Sequence, residues 1–147
     1  MRTQTLSRSE IDQLGWTVGT TGLYLLSWDG VATLRNELGD EVGYFCYDRP
    51  GAHSSDVGIV PSKTIYIRHA EIFEKYRNRG YASAALNTLE AIFASEGFQT
   101  VWTLSLTIRI SFFEKLGFTR HHKTPTDAYG PNVDTHIWAK QIKRSNR

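Results

Sequence analysis

Apolar positions alternate with polar ones through much of the first half of the chain, and take up a helical spacing only later. A short helix is expected at residues 10–14, where Ser7 and Ser9 offer caps and Gly15 a stop. Three strand-like runs follow at residues 23–28, 31–38 and 42–47, joined by the turn pairs Asp29-Gly30 and Gly39-Asp40. Connections this short imply an antiparallel meander. Residues 48–63 carry Pro50-Gly51, Ser54-Ser55 and Pro61 and read as a long loop. Residues 64–73 return to a strand, with Ile65, Ile67 and Ile72 in it.

The period changes at Tyr81. Leu86, Leu89 and Phe93 fall at i, i+3 and i+7, with Ala82 and Ala85 on or near the same face, and Gly97 follows. This predicts a helix over 81–96. A strand is expected at 100–106, where Trp102, Leu104 and Leu106 alternate with Val101, Thr103 and Ser105. A short helix over 109–116 ends at Gly117, and strands over 118–122 and 135–142 enclose a polar loop at 123–134. The order predicts a single α+β domain over residues 1–147. Its central sheet is mixed and mostly antiparallel, with helices packed on its faces. The strand–helix–strand unit over 64–106 is expected to be a right-handed parallel crossover.

Composition narrows the function classes. With 147 residues, 40% hydrophobic and 22% charged, the chain can bury one ordinary core, and disorder is not the expectation. A formal charge of only +2 argues against a nucleic-acid partner, and the basic stretch 140–147 reads as a solvated tail. The lone Cys46 excludes an intrachain disulfide and fits a reducing compartment. No apolar run is long enough to span a bilayer, and residues 1–11 lack a signal peptide's apolar core. A soluble, cytoplasmic protein without a membrane partner is therefore expected. His53, His69, His121, His122 and His136 form no spaced pair of the zinc type, so no metal is expected. The aromatic run Tyr44-Phe45-Cys46-Tyr47 reads as a core face with an inert, buried thiol rather than a base-stacking surface.

The segment Tyr76-Arg77-Asn78-Arg79-Gly80-Tyr81-Ala82 joins an expected strand to an expected helix. A helix begins with N–H groups that have no partner within it, and these together with the helix dipole attract anions. Gly80 lets the backbone come close to a diphosphate or take a positive φ, Ala82 is small, and Arg77 and Arg79 add charge. There is no Gly-Lys-Ser/Thr and no Gly-x-Gly-x-x-Gly, so neither the P-loop nor the dinucleotide fingerprint applies. Taken alone, the segment is equally a helix start with a turning glycine.

A second segment, Phe112-Phe113-Glu114-Lys115-Leu116-Gly117-Phe118, follows after one helix and one strand. Together the two segments resemble the GNAT superfamily of N-acetyltransferases. Arg77, Gly80 and Ala82 match its Arg/Gln-x-x-Gly-x-Gly/Ala signature, and residues 112–118 match its later aromatic block ending Glu-Lys-Leu-Gly-Phe. The resemblance implies acetyl-coenzyme A as acyl donor, held by Arg77, Asn78, Arg79, Gly80, Tyr81 and Ala82, with Thr107 and Phe113 also near it. It implies that N–H groups around Ile72 and Phe73 bind the thioester carbonyl and stabilise an oxyanion. The acceptor is then a primary amine of a small molecule or protein that attacks directly.

The chain departs from the family in four places. Phe113 stands where a tyrosine commonly serves as general acid. The link at residues 106–109 lacks the asparagine often found there. No glutamate stands at the middle of the 64–72 strand. Nor is there room between residues 23 and 47 for the helical segment that walls the acceptor site in many members, so that wall falls to the 48–63 loop. Glu71 and His69 are candidate bases, and Tyr129 is a candidate acid. Two other functions stay open: a non-catalytic or weakly active acetyl-coenzyme A binding module, and an acetyltransferase acting on nucleic acid or aminoacyl-tRNA. Exposed sheet edges leave a homodimer open as well.

Overall fold

The computed structural model describes residues 15–28, 30–54, 57–106, 114–121 and 135–142. The expected helix at 10–14 and the polar loop 123–134 lie outside these. Most of the expected helix at 109–116 does too; of its last three residues, Glu114 and Lys115 are helical and Leu116 is in a turn.

The described elements are β1 (Trp16–Val18), β2 (Leu23–Trp28), β3 (Val31–Arg35), β4 (Glu41–Asp48), β5 (His53–Ser54), β6 (Gly58–Ile59) and β7 (Thr64–Ile72). After β7 come a 3-10 turn (Glu74–Tyr76), the helix α1 (Tyr81–Ser95), β8 (Thr100–Leu106), β9 (Thr119–Arg120) and β10 (Thr135–Gln141). Eight strands are hydrogen-bonded in the order β1-β2-β3-β4-β7-β8-β10-β9, and β5 pairs with β6. The β1–β2, β2–β3, β3–β4, β8–β10 and β9–β10 pairs are antiparallel, and β7–β8 is parallel. The sheet is therefore mixed and mostly antiparallel, with its parallel pair where the crossover was expected. By internal contacts the chain falls into two compact units: residues 1–46 with 69–92, and residues 47–68 with 93–147.

In the first unit the meander is set by register. Leu25 lies opposite Leu34, and Leu34 opposite Gly43, so one face collects apolar side chains. Val18, Leu23, Leu25, Ala32, Leu34 and Phe45 are all buried. The strand β1 was not expected. It has three residues between Gly15 and the turn at 19–22, too few for a periodic signal, and is fixed by pairing with β2. The third strand also ends sooner than its pattern suggested, at Arg35 rather than Leu38. Asn36 stops it: its side-chain oxygen accepts from the N–H groups of Leu38 (3.0 Å) and Asp40 (2.9 Å). This is an asparagine closing a turn locally at the expense of the ladder. Ala85, Leu86 and Leu89 of α1 are buried, as their helical spacing required, and Ile92 is buried with them.

In the second unit β8 is buried on both sides, with Val101 and Trp102 alike enclosed, as befits a strand inside a partly parallel sheet. Its parallel register with β7 covers Thr64–Ile67 opposite Thr100–Thr103, and β7 continues to Ile72. The described part of the 48–63 segment is pinned by backbone hydrogen bonds and paired as β5 with β6. Gly51 donates to Val60 (2.9 Å), Val60 donates to Ala52 (3.0 Å), and Val57 and Val60 sink into a cluster with Tyr66, Trp102 and Ile137. On the other side of the unit, Phe93 meets Tyr47 and Phe98 edge-on at 5.1 and 6.2 Å.

One close approach governs the β4–β7 contact inside the first unit. A Cβ on Gly43 would run into the Glu71 carbonyl oxygen and come within 3.0 Å of Ile72 Cα. Both obstacles are backbone and cannot swing away. Gly43→Ala is expected to cost roughly 1–3 kcal/mol by overpacking. Thermal unfolding should register this as a loss of several degrees, and an unchanged melting temperature would show that the strands part freely here.

Candidate active site

The chain leaves β7 at Ile72, makes the 3-10 turn and enters α1 at Tyr81. Tyr76 N–H donates to Phe73 O (2.8 Å) and Arg77 N–H to Glu74 O (3.2 Å). Arg77 is extended (φ −73, ψ 165). Asn78 (φ 64) and Gly80 (φ 75) are both left-handed, with Arg79 between them on the ordinary side. Such alternation turns successive N–H groups toward one concavity, the geometry of anion-binding nests. Asparagine accepts the left-handed conformation more readily than most residues, and glycine accepts it without penalty. A Cβ at Gly80 would meet nothing within 4 Å, so no packing contact calls for glycine here and open space lies before it.

The first helical bond of α1 runs from Ala84 N–H to Gly80 O (3.1 Å). The N–H groups of Tyr81, Ala82 and Ser83 precede that bond and have no carbonyl one turn back. The first turn carries no acidic side chain to neutralise the positive end of the dipole. Residues 77–80 are exposed, and Tyr81 and Ala82 are half-buried. Lys75, Arg77 and Arg79 outnumber the single acid Glu74 in the turn. Charge, dipole, unpartnered donors and open space all suit a diphosphate.

The Ile72–Phe73 peptide is held at both ends. Its N–H, from Phe73, donates to Val42 O on β4 at 2.9 Å. Its carbonyl, from Ile72, accepts from Arg77 Nε at 2.7 Å. The Phe73 N–H is thus already spent within the sheet. Successive N–H groups of a strand point to opposite edges, so that of Ile72 faces away from β4. Arg77, at the start of the turn that leads into α1, directs its guanidinium back toward β7.

Beside this peptide lies a cluster on one face of β4 and β7. Tyr44 stacks on His69 with centroids 5.4 Å apart and 23° between planes, and meets Phe73 at 6.0 Å. Burial pushes the Tyr44 phenol above its ordinary range, and the nearby Glu71, Cys46 and Glu41 add to the effect. The structure thus brings Glu71 and His69 around a residue that the sequence pattern had grouped with the core. Alternation along β4 separates them: Phe45 and Tyr47 are buried, whereas Tyr44 and Cys46 are only half-buried. The period-two pattern of β4 is the signal that singles out Tyr44, and the Cys46 thiol is correspondingly less enclosed than expected.

Tyr129, Thr107 and Phe113 lie outside the described residues. In the second unit, Pro61, Thr64, Trp102 and His121 help to line a groove of about 520 Å³ at the amino end of β7 and β8. Among the described residues no lysine or arginine lines it, and those that do offer a phosphate no charge. Among the described residues no three His, Cys, Asp or Glu side chains are grouped as a metal would need. No helix among them is long and apolar enough to cross a membrane.

Comparison with known proteins places this geometry. The model of the acetyltransferase (GNAT) family matches residues 8–118, more than half of the chain. A search of curated proteins gave no match. Among solved structures, Tetrahymena GCN5 superposes with a TM-score of 0.57 at 13% identity, over 81% of this chain and 72% of that one. A GNAT-family acetyltransferase from Bacillus anthracis gives 0.58 at 17% identity, over 78% and 68%. The PaiA N-acetyltransferase from Thermoplasma acidophilum, solved in complex with coenzyme A, gives 0.54 at 12% identity, over 76% and 59%. At these identities the structural likeness speaks for the fold. Family model and fold agree with the strand–cradle–helix geometry, and the chain belongs to the GNAT acetyltransferase family.

Proposed function

We propose that this protein is a single-domain N-acetyltransferase that moves the acetyl group of acetyl-coenzyme A to a primary amine of a small molecule or protein by direct attack. One observation carries the assignment: the 77–82 cradle, with its two left-handed residues, three N–H groups ahead of the first helical bond and open space at Gly80. In this reading the N–H groups of Tyr81 and Ala82 and the backbone of Asn78, Arg79 and Gly80 receive the diphosphate. The Arg79 side chain supplies charge. It makes no hydrogen bond or ion pair among the described residues.

The thioester lies along the edge of β7 that faces away from β4. Its carbonyl oxygen accepts from the Ile72 N–H, which stabilises the negative charge formed when the amine attacks. Glu71 or His69, on the face that also carries Tyr44, takes the proton from the amine. As the tetrahedral intermediate collapses, the C–S bond breaks and the thiolate leaves. Tyr44 offers a hydroxyl held in its protonated form, and so a donor at neutral pH. Tyr129 is a second candidate acid. Phe113, in the position of the family's common tyrosine, has no proton to give. A binding module with little turnover is the second reading, favoured by that phenylalanine.

Calorimetric titration with acetyl-coenzyme A, followed by thiol release with a panel of amines, separates these functions. Micromolar binding with amine-dependent release is the expected result, whereas binding without release would favour the module. Gly80→Glu places a carboxylate where the diphosphate sits and should weaken binding at least about tenfold, or roughly 1.4 kcal/mol. Unchanged affinity would remove the cradle from the site.

The Tyr44 phenol is expected to ionise above pH 10, seen as the tyrosinate absorbance lost in Tyr44→Phe. Glu71→Gln should lower that midpoint toward 10, because one of the charges opposing ionisation is gone. The sign for stability follows. A group that the fold keeps protonated contributes below the unfolded value near 10, and the contribution fades as pH rises through the folded midpoint. A Tyr44 midpoint at or below 10 would rule out this environment.

A further inference from the structure

We propose that Arg77 is a positioning residue, which clamps the Ile72–Phe73 peptide and so aims the Ile72 N–H, instead of serving chiefly as a cation for the diphosphate. The inference rests on the transferase function proposed above. It starts from a single planar unit. The Ile72 carbonyl and the Phe73 N–H belong to one peptide group, whose six atoms turn together. Val42 O holds the N–H end at 2.9 Å and Arg77 Nε holds the carbonyl end at 2.7 Å. Bonds at opposite ends of a rigid plane suppress its rotation about the flanking Cα atoms. The Ile72 N–H lies in the adjoining Glu71–Ile72 peptide, which shares the Ile72 Cα with this plane, so holding the one plane restrains the φ and ψ turn at Ile72 through which the other is aimed.

The two partners do not come from the same element. Val42 belongs to β4, whereas Arg77 stands beyond the 3-10 turn, just before the cradle. The Arg77 bond therefore closes a short ring of chain from Ile72 round to Arg77. Tyr76 N–H to Phe73 O and Arg77 N–H to Glu74 O fill that ring at 2.8 and 3.2 Å. Oxyanion donor and phosphate cradle become one braced piece, so the thioester and the diphosphate of one donor molecule are measured against a common frame. Phosphate recognition does not require Arg77 as its main cation, because Lys75 and Arg79 stand in the same exposed turn. Lys75 lies over the Tyr76 ring at 5.4 Å, and Arg79 is unengaged among the described residues.

Side-chain chemistry separates the clamp from the charge. A glutamine places its amide N–H the same number of bonds from Cα as arginine Nε, and carries no charge. A lysine keeps the charge but has a methylene at that position. Arg77→Gln, Arg77→Lys and Arg77→Ala are therefore compared in two measurements. The first is amide hydrogen exchange at Phe73 in the ligand-free protein. The second is kcat and KM for acetyl-coenzyme A with a saturating amine.

A clamp predicts that Ala and Lys speed Phe73 exchange and lower kcat, each by about tenfold, as for one lost hydrogen bond to a charged group. KM should stay within about threefold, the mark of an interaction that matters in the transition state rather than in binding. Gln should stay close to wild type in both. The inference is overturned if Lys keeps full activity while Gln fails, if KM rises tenfold with kcat intact, or if Phe73 exchange is the same in all four proteins. Should the wild type transfer acetyl to no amine at all, the proposed function falls, and the exchange rates still decide the clamp by themselves.

Discussion

A chain that passes from a strand into a helix within a few residues leaves backbone N–H groups that neither element can satisfy. The strand can spend its own donors only on its neighbours, and the helix cannot use its first three. Here Phe73 gives its N–H to Val42, while the amides of Tyr81, Ala82 and Ser83 find no carbonyl one turn back. Much of the site follows from this shortfall. Donors that a globular fold would normally cap stand without a backbone partner beside two left-handed residues, with three basic side chains and one acid in the turn. An anionic ligand satisfies in one step what the chain alone leaves open.

The surrounding structure makes that shortfall tolerable and keeps it in place. Gly43 lets β4 and β7 approach backbone to backbone, closer than any side chain would permit. The close contact brings Val42 within reach of the Phe73 N–H, and the Ile72–Phe73 peptide is then gripped from β4 and from Arg77. The same two strands carry Tyr44, His69 and Glu71 on a common face, with Phe73 just past the end of β7. The gripped peptide and the Tyr44–His69 stack thus stand on neighbouring atoms of one strand, with few flexible bonds between them.

The second unit solves a different problem. Its parallel β7–β8 register and the doubly buried β8 form an apolar centre, onto which the 48–63 segment folds Val57 and Val60. An arginine finishes one side of it. Arg49 lies 5.8 Å from the Tyr47 ring and 5.7 Å from that of Phe98, and pairs with Glu96 at 3.1 Å. The weight here falls on packing rather than on chemistry, since buried rings outvalue an exposed ion pair.

The sequence by itself determined the order and type of the main elements, because their signals are periodic and local. The meander from β2 to β4, the helix from Tyr81 and the strand from Thr100 all lie where alternation or helical spacing placed them. The turn between strand and helix was legible for the same reason, since Gly80 and the two arginines before it lie within four positions of one another. What no local pattern carried was decided by contacts distant in sequence or too brief to show a period. The strand β1 exists only through its pairing with β2, and β3 stops where Asn36 takes over the turn. Tyr44 left the core and joined His69 and Glu71 once β4 and β7 were set side by side. Arg77 has the charge of a phosphate ligand in the sequence. Only the folded chain, which brings the Ile72 carbonyl within 2.7 Å, gives it a backbone partner. A hydrogen bond depends on distance and direction in space, and residue type records neither.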